Sequence, residues 1–184
     1  MNLPEKYKWI ESKVPLPKLV ATALQFLGIK EIPGQASNPV IMNMAKEIGV
    51  DGIYKNDDTS WCALFMSYLC KITGKPLPDT DGDKYNYLRA AWFLNYGHKV
   101  KDGEAMFGDV LVFQRPGGNH VGLYIAESKT TYFVLGGNQS NAVTISEIKK
   151  DRLRMARRFY HIAAPATVKK YFMDSSGLVS KNEA

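Results

Sequence analysis

The tripeptide Trp61-Cys62-Ala63 opens an apolar run that stops at Gly74, so it places a thiol where a helix begins. Ser60 or Thr59 can serve as N-cap, which puts Cys62 in the first turn. There the free backbone N–H groups and the positive end of the helix dipole favour a thiolate and lower the cysteine pKa. The same N–H groups can hold an oxyanion developing on a substrate carbonyl. Position alone leaves two readings of Cys62 open, an activated nucleophile and a buried structural cysteine. Cys70, two turns deeper beside Leu69 and Ile72, fits the second.

A thiol nucleophile works with a base, usually histidine. Of the three histidines, His98 follows Gly97 in a loop beside Lys99, and His161 lies near the end of the last expected strand. His120 differs, because it begins a strand directly after Gly117-Gly118-Asn119. A strand edge beside a glycine turn can present an imidazole rigidly toward a helix end. A third group should orient that imidazole through its other nitrogen. Asn138, at the end of the next strand, is placed as its cross-strand neighbour, with Gln139 and Asn119 as weaker choices.

The elements that must position these residues follow from periodicity and punctuation. Pro17 starts a helix whose stripe runs through Leu19, Val20, Ala23, Leu24 and Leu27 to Gly28. Asn38-Pro39 reads as an N-cap and first residue, with Ile41, Met44, Ala45 and Ile48 as the stripe and Gly49 as the stop. The Cys62 helix runs from about Ser60 to Thr73, and a fourth is expected over 84–96. After Gly103 the pattern turns to short β-branched and aromatic runs at 110–113, 121–125 and 131–135, with further strands at 143–145 and 158–160. Helices first and antiparallel strands after imply an α+β domain, its helices packed on a sheet of about five strands. The expected layout is an N-terminal extension at 1–17, a catalytic domain at 18–165 and a C-terminal tail at 166–184.

Composition narrows the classes. The chain is 184 residues long and 45% hydrophobic, enough for one domain with a proper core. It has no apolar stretch of about 18 residues or more and no secretory signal pattern at its N-terminus. Eight helical residues separate Cys62 from Cys70 by about 12 Å, too far for a disulfide, so free thiols and synthesis in a reducing cytoplasm are expected. Residues 149–170 hold eight basic side chains against Asp151 alone, a local +7 that is either a solvated face or an attraction to anionic polymers or a membrane surface. No nucleic-acid motif accompanies that run, and no zinc-ligand spacing is present, so neither nucleic acid nor a metal or other cofactor is implied.

Three ordered blocks then carry a resemblance. Asp58-Thr59-Ser60-Trp61-Cys62-Ala63, Gly108-Asp109-Val110-Leu111-Val112-Phe113 and Asn119-His120-Val121-Gly122 together resemble CHAP-type and NlpC-type peptidoglycan hydrolases, which are papain-like cysteine amidases and endopeptidases. Gly28-Ile29-Lys30-Glu31-Ile32-Pro33-Gly34 and Leu135-Gly136-Gly137-Asn138-Gln139-Ser140 are similar to a phage and bacterial subgroup. The resemblance implies Cys62 as nucleophile, His120 as base and Asn138 as the polar third member; Trp61 is either core packing or a wall of the substrate groove, Asp58 either caps the Cys62 helix or lines the cleft, Gln139 is a candidate substrate contact, and Asp109 reads as a turn residue that starts a strand. One departure is plain: where many CHAP members carry an acidic residue two places before that asparagine, this chain has Gly136. The function implied is cleavage of a peptidoglycan amide bond, either sugar-to-alanine or within the peptide, by a monomer in phage lysis or a phage tail. Such an enzyme acts on the wall after release or delivery. The rival reading is a non-catalytic wall-binding or virion module on the same fold.

Overall fold

The computed structural model describes residues 3–34, 36–160, 164–181 and 183. Three α-helices, α1 (Lys18–Ala23), α2 (Pro39–Ile48) and α3 (Cys62–Ile72), precede six strands. These are β1 (His98–Lys99), β2 (Val110–Arg115), β3 (Gly118–Glu127), β4 (Thr131–Gly136), β5 (Thr144–Lys149) and β6 (Leu153–Arg158). They form one antiparallel sheet in the order β1-β6-β2-β3-β4-β5. The α+β architecture expected from the sequence is the one observed.

Local chemistry explains most of the boundaries. The Asn38 side chain accepts from Val40 N at 2.8 Å, and Gly49 ends α2 in the left-handed region at φ 76°. In the β2–β3 hairpin Arg115 pairs with Gly118 across Pro116-Gly117. Proline suits the first turn position and Gly117, at φ 75°, the second.

The sheet is buried on both faces. Val112, Val121, Leu123 and Leu135 pack with α1–α3, while Leu111, Phe113, Tyr124 and Val134 form a second cluster on the opposite face. Strands covered on both sides read as continuous apolar runs, which is why the central three were plain in the sequence. Helix α3 is the keystone: residues 62–67, Leu69 and Cys70 are all buried. Each large apolar side chain so enclosed contributes about 1.5–3 kcal/mol. The N-terminal segment joins this core through Tyr7 and Ile10, and Trp9 stacks at 4.8 Å on Tyr171.

Two expectations need correction. The stretch 84–96 is not an α-helix but two 3-10 turns, Lys84–Leu88 and Ala90–Asn95, separated by Arg89 in an extended conformation. Its aromatic residues are weak helix formers, and burial of Asn86 and Phe93 dictates the path instead. The last strand lies at 153–158 rather than 158–160. Its Leu-Arg-Met-Ala-Arg-Arg sequence hides the alternation because its arginines are recruited into polar contacts. The sheet therefore has six strands, with β1 and β6 on one flank.

Candidate active site

Cys62 is the first residue of α3 and His120 the third residue of β3, and the strand residue after His120 reaches the Cys62 sulfur through its backbone. His120 pairs with Phe113, so its side chain shares the face opposite the helices. The next residue, Val121, presents its backbone N–H to the Cys62 sulfur. The Arg115 guanidinium acts on both groups. Its Nη2 donates to Ser60 Oγ at 3.2 Å and its Nε to Asn119 O at 3.2 Å, tying the start of the helix to the strand that carries His120.

The imidazole is oriented by Gln139. Its Oε1 lies 3.1 Å from His120 Nε2, while its Nε2 donates to Thr144 O at 2.6 Å and to Val134 O at 3.1 Å. Those two carbonyls leave the amide one sensible orientation, with its acceptor facing the ring. His120 Nε2 must then carry the proton, and Nδ1 carries the lone pair. Nδ1 is buried and has no hydrogen-bond partner among the described residues. An unsatisfied acceptor in a closed site is costly and calls for a role.

The contact expected of Asn138 is thus made by its neighbour. The β3–β4 register, carried on from Leu123 opposite Leu135, would bring Asn138 opposite His120, but β4 ends at Gly136 and Asn138 turns away at φ 57°. Its amide instead donates to Glu31 Oε1 at 2.9 Å and accepts from Ser60 Oγ at 3.2 Å and Trp61 N at 3.3 Å. Asn138 therefore braces the residues just before Cys62. Gly136 explains the departure from the CHAP pattern, because a Cβ there would sit 3.3 Å from both His120 Nε2 and Gln139 Oε1. Gln139 folds back into the space a side chain at 136 would fill. At Gly137 a Cβ would meet the Trp61 ring at 2.6 Å, so the double glycine lets the loop close over α3.

Other expected residues fall differently. Of the two readings of Trp61, a groove wall is overturned and core packing holds, since it has no exposed surface; it packs edge-on against Phe65 and donates from Nε1 to Glu31 Oε1 at 2.6 Å. Asp58 is exposed and caps nothing, since Trp61 is the N-cap residue of α3 and has no side-chain capping bond. Its neighbour Asp57 is the buried one, accepting from Asn38 N at 2.7 Å and Ile32 N at 3.2 Å. Asp109 closes the turn before β2, its N–H donating to Met106 O at 3.0 Å, and its enclosed carboxylate is bound by Arg158 through two bonds of 2.7 Å. His98 is exposed on β1, and His161 lies outside the described residues. Cys70 is a buried free thiol, as is Cys62.

Electrostatics revise the expected resting state. Burial pushes the Cys62 thiol up, opposed by the Val121 N–H, the Arg115 charge, the Ser60 hydroxyl and the Ala63 N–H. Burial likewise lowers His120 to about 4, against the Glu183 carboxylate and Gln139, which raise it. Both shifts favour the neutral thiol and the neutral imidazole over the thiolate expected of a helix start. Desolvation of a charge in a closed site outweighs the modest help of one helix end.

The basic run is largely spent inside the fold. Lys150 and Lys170 pair with Glu127, Arg152 with Glu183 and Arg158 with Asp109, while Arg157 donates to the Tyr96 and Gly97 carbonyls. Charge counted along the chain saw none of these carboxylates, because they come from distant segments.

A helix bearing a cysteine at its first turn, set against the rim of an antiparallel sheet bearing histidine, defines a papain-like α+β cysteine hydrolase. Residues 54–162 match the NlpC/P60 family, and the chain belongs to that family. Its members are generally cysteine peptidases and hydrolases associated with the peptidoglycan of the cell wall. Comparison with curated proteins finds no match.

Proposed function

We propose that this protein hydrolyses an amide bond in peptidoglycan, with Cys62 as nucleophile, His120 as base and Gln139 as the group that orients the base. The observation that carries this reading is the Gln139-locked tautomer, which leaves His120 Nδ1 as a buried lone pair without a partner among the described residues, on the strand whose next N–H, of Val121, reaches the Cys62 sulfur. Nδ1 takes the thiol proton as Sγ attacks the substrate carbonyl carbon. The Cys62 backbone N–H, free at the start of α3, stabilises the oxyanion. Collapse of the tetrahedral intermediate breaks the C–N bond, and the imidazolium returns its proton to the leaving amine. Water then attacks the thioester with His120 again as base, releasing the acid and the thiol.

Starting from a neutral pair suits this sequence, because the proton moves only as the attack proceeds. Asn138 and Glu31 act one layer out, holding Ser60 and Trp61 so that the sulfur keeps its place. The test is digestion of purified peptidoglycan followed by mass spectrometry of the soluble muropeptides. New amine termini on alanine mark a sugar-to-alanine amidase, and new termini within the peptide mark an endopeptidase. Cys62→Ser should release nothing; equal release by parent and Cys62→Ser would refute the proposal.

A further inference from the structure

The catalytic scheme leaves two charged residues at the same rim without a task. Arg152 Nε donates to Gln114 O at 3.0 Å, and Gln114 pairs with Asn119, the residue before His120. The guanidinium is thereby fixed at the hairpin end that carries the base, with its two-pronged side pointing away from the strand. That fork grips Glu183 bidentately, Nη1 to Oε1 at 2.8 Å and Nη2 to Oε2 at 2.6 Å. The Glu183 side chain has no exposed surface, which is unusual for a carboxylate so late in a chain.

Glu183 is led there by a pinned segment. Ser175 Oγ, Ser176 N and Ser176 Oγ all donate to the Glu147 carboxylate, at 2.6, 2.9 and 2.5 Å. Val179 forms a parallel bridge with Glu147 on the edge strand β5, and Ser180 N donates to Glu147 O at 2.8 Å. Arg152 also donates to Ser180 O at 3.2 Å, so one arginine holds the segment at two points. The Glu183 carboxylate lies near enough to act on His120, which has no exposed surface, and Cys62 retains 4%. A polymeric substrate cannot reach a sulfur enclosed to that degree, so part of the enclosing shell must move for a wall fragment to bind.

The chemistry of the grip suggests what moves it. A bidentate arginine recognises carboxylates by shape as well as charge. Peptide stems of the wall carry free carboxylates, and Arg152 holds one at a fixed place beside the reacting pair. We infer that Arg152 is a carboxylate seat of the active site and that Glu183 occupies it as an internal stand-in, so that Glu183 and the pinned residues 175–181 strap the site shut until a substrate carboxylate displaces Glu183. The inference rests on reading Cys62 and His120 as the reacting pair.

The test reads closure and recognition separately, on the full-length protein. Closure is followed as the rate of iodoacetamide labelling at Cys62, located by peptide mass spectrometry, in the parent, Glu183→Ala and Ser180→Pro. Glu183→Ala empties the seat, and Ser180→Pro removes the N–H given to Glu147 and the hydroxyl bond to Glu183 while leaving that carboxylate in the chain. Both should label Cys62 roughly tenfold faster than the parent, the change expected when a local closed state loses one anchoring contact, while Cys70 stays protected. Unchanged labelling in both variants overturns the strap. Recognition is followed by calorimetry in a Cys62→Ser background, with a soluble stem tripeptide bearing free carboxylates and with its fully amidated form. Glu183→Ala should tighten the free-carboxylate peptide by roughly tenfold, and adding Arg152→Gln should erase that gain. Equal binding of the two peptides by the Glu183→Ala protein overturns the seat. Fast labelling without any muropeptide release by the Glu183→Ala enzyme would leave the strap standing and refute the hydrolase reading instead.

Discussion

Replacing Gln139 by leucine separates the group that orients His120 from the neighbour that sequence pattern favoured. The change removes three contacts, Oε1 to His120 Nε2 and Nε2 to the Val134 and Thr144 carbonyls. At about 1 kcal/mol net each, that is about 3 kcal/mol, of which leucine burial returns about 1 kcal/mol. The thermal midpoint should therefore fall by roughly 4–8 °C, leaving a folded enzyme to assay. Without an acceptor at Nε2 the imidazole can rotate and exchange tautomers, so Nδ1 no longer waits as a lone pair. We expect kcat/KM on peptidoglycan to drop roughly a hundredfold to a thousandfold, or about 3–4 kcal/mol of transition-state stabilisation. Gln139→Glu should keep the acceptor but lose both amide donations, and its charge should move the acid limb of the pH–rate profile upward. Asn138→Ala, which disturbs only the bracing of Ser60 and Trp61, should cost less than Gln139→Leu. A Gln139→Leu enzyme within threefold of the parent, with Asn138→Ala inactive, would refute this assignment.

Cys62→Ser should abolish muropeptide release with little change in melting, whereas Cys70→Ala should keep activity and lose about 1–2 kcal/mol of stability as a buried thiol leaves the core; denaturant titration beside the activity assay checks both. Because folding lowers His120 to about 4 from an ordinary 6.5, the unfolded chain binds more protons between those values, so stability should fall as pH drops from about 6.5 toward 4. That loss, about 3 kcal/mol at most, should be absent in His120→Gln, and parallel urea midpoints for the two proteins across that range would sink the claim. Asp109→Ala leaves the partly buried Arg158 and the Met106 N–H without their acceptor, so it should cost about 3 kcal/mol or more and lower the thermal midpoint, although Asp109 is remote from the chemistry.

Local signals carried much of this protein. Asn38, Gly49 and the Pro116-Gly117 turn punctuate the chain by their own backbone preferences, and the apolar runs of β2, β3 and β4 announce strands covered on both faces. The placement of Cys62 at a helix start and of His120 near a strand start was equally legible, since both depend on neighbours a few residues away. Where side chains answer to distant partners, sequence pattern failed. The stretch 84–96 gave up helix for 3-10 turns because its buried side chains set the path, and β6 escaped notice because its arginines answer to remote partners, Arg154 to Asn119, Arg157 to the Tyr96 and Gly97 carbonyls and Arg158 to Asp109.

The sequence by itself pointed to the class of chemistry, because the ordered blocks around Cys62 and His120 resemble peptidoglycan hydrolases, although position alone left Cys62 open. Only the tertiary structure decided which amide holds the imidazole. The choice between Asn138 and Gln139 turns on β4 ending at Gly136 and on two carbonyls that capture the Gln139 amine. It also decided the protonation of the pair, since desolvation comes from the whole enclosing shell rather than from one helix end. And it alone brought Glu183 to Arg152, a contact between residues 31 positions apart that no spacing rule anticipates.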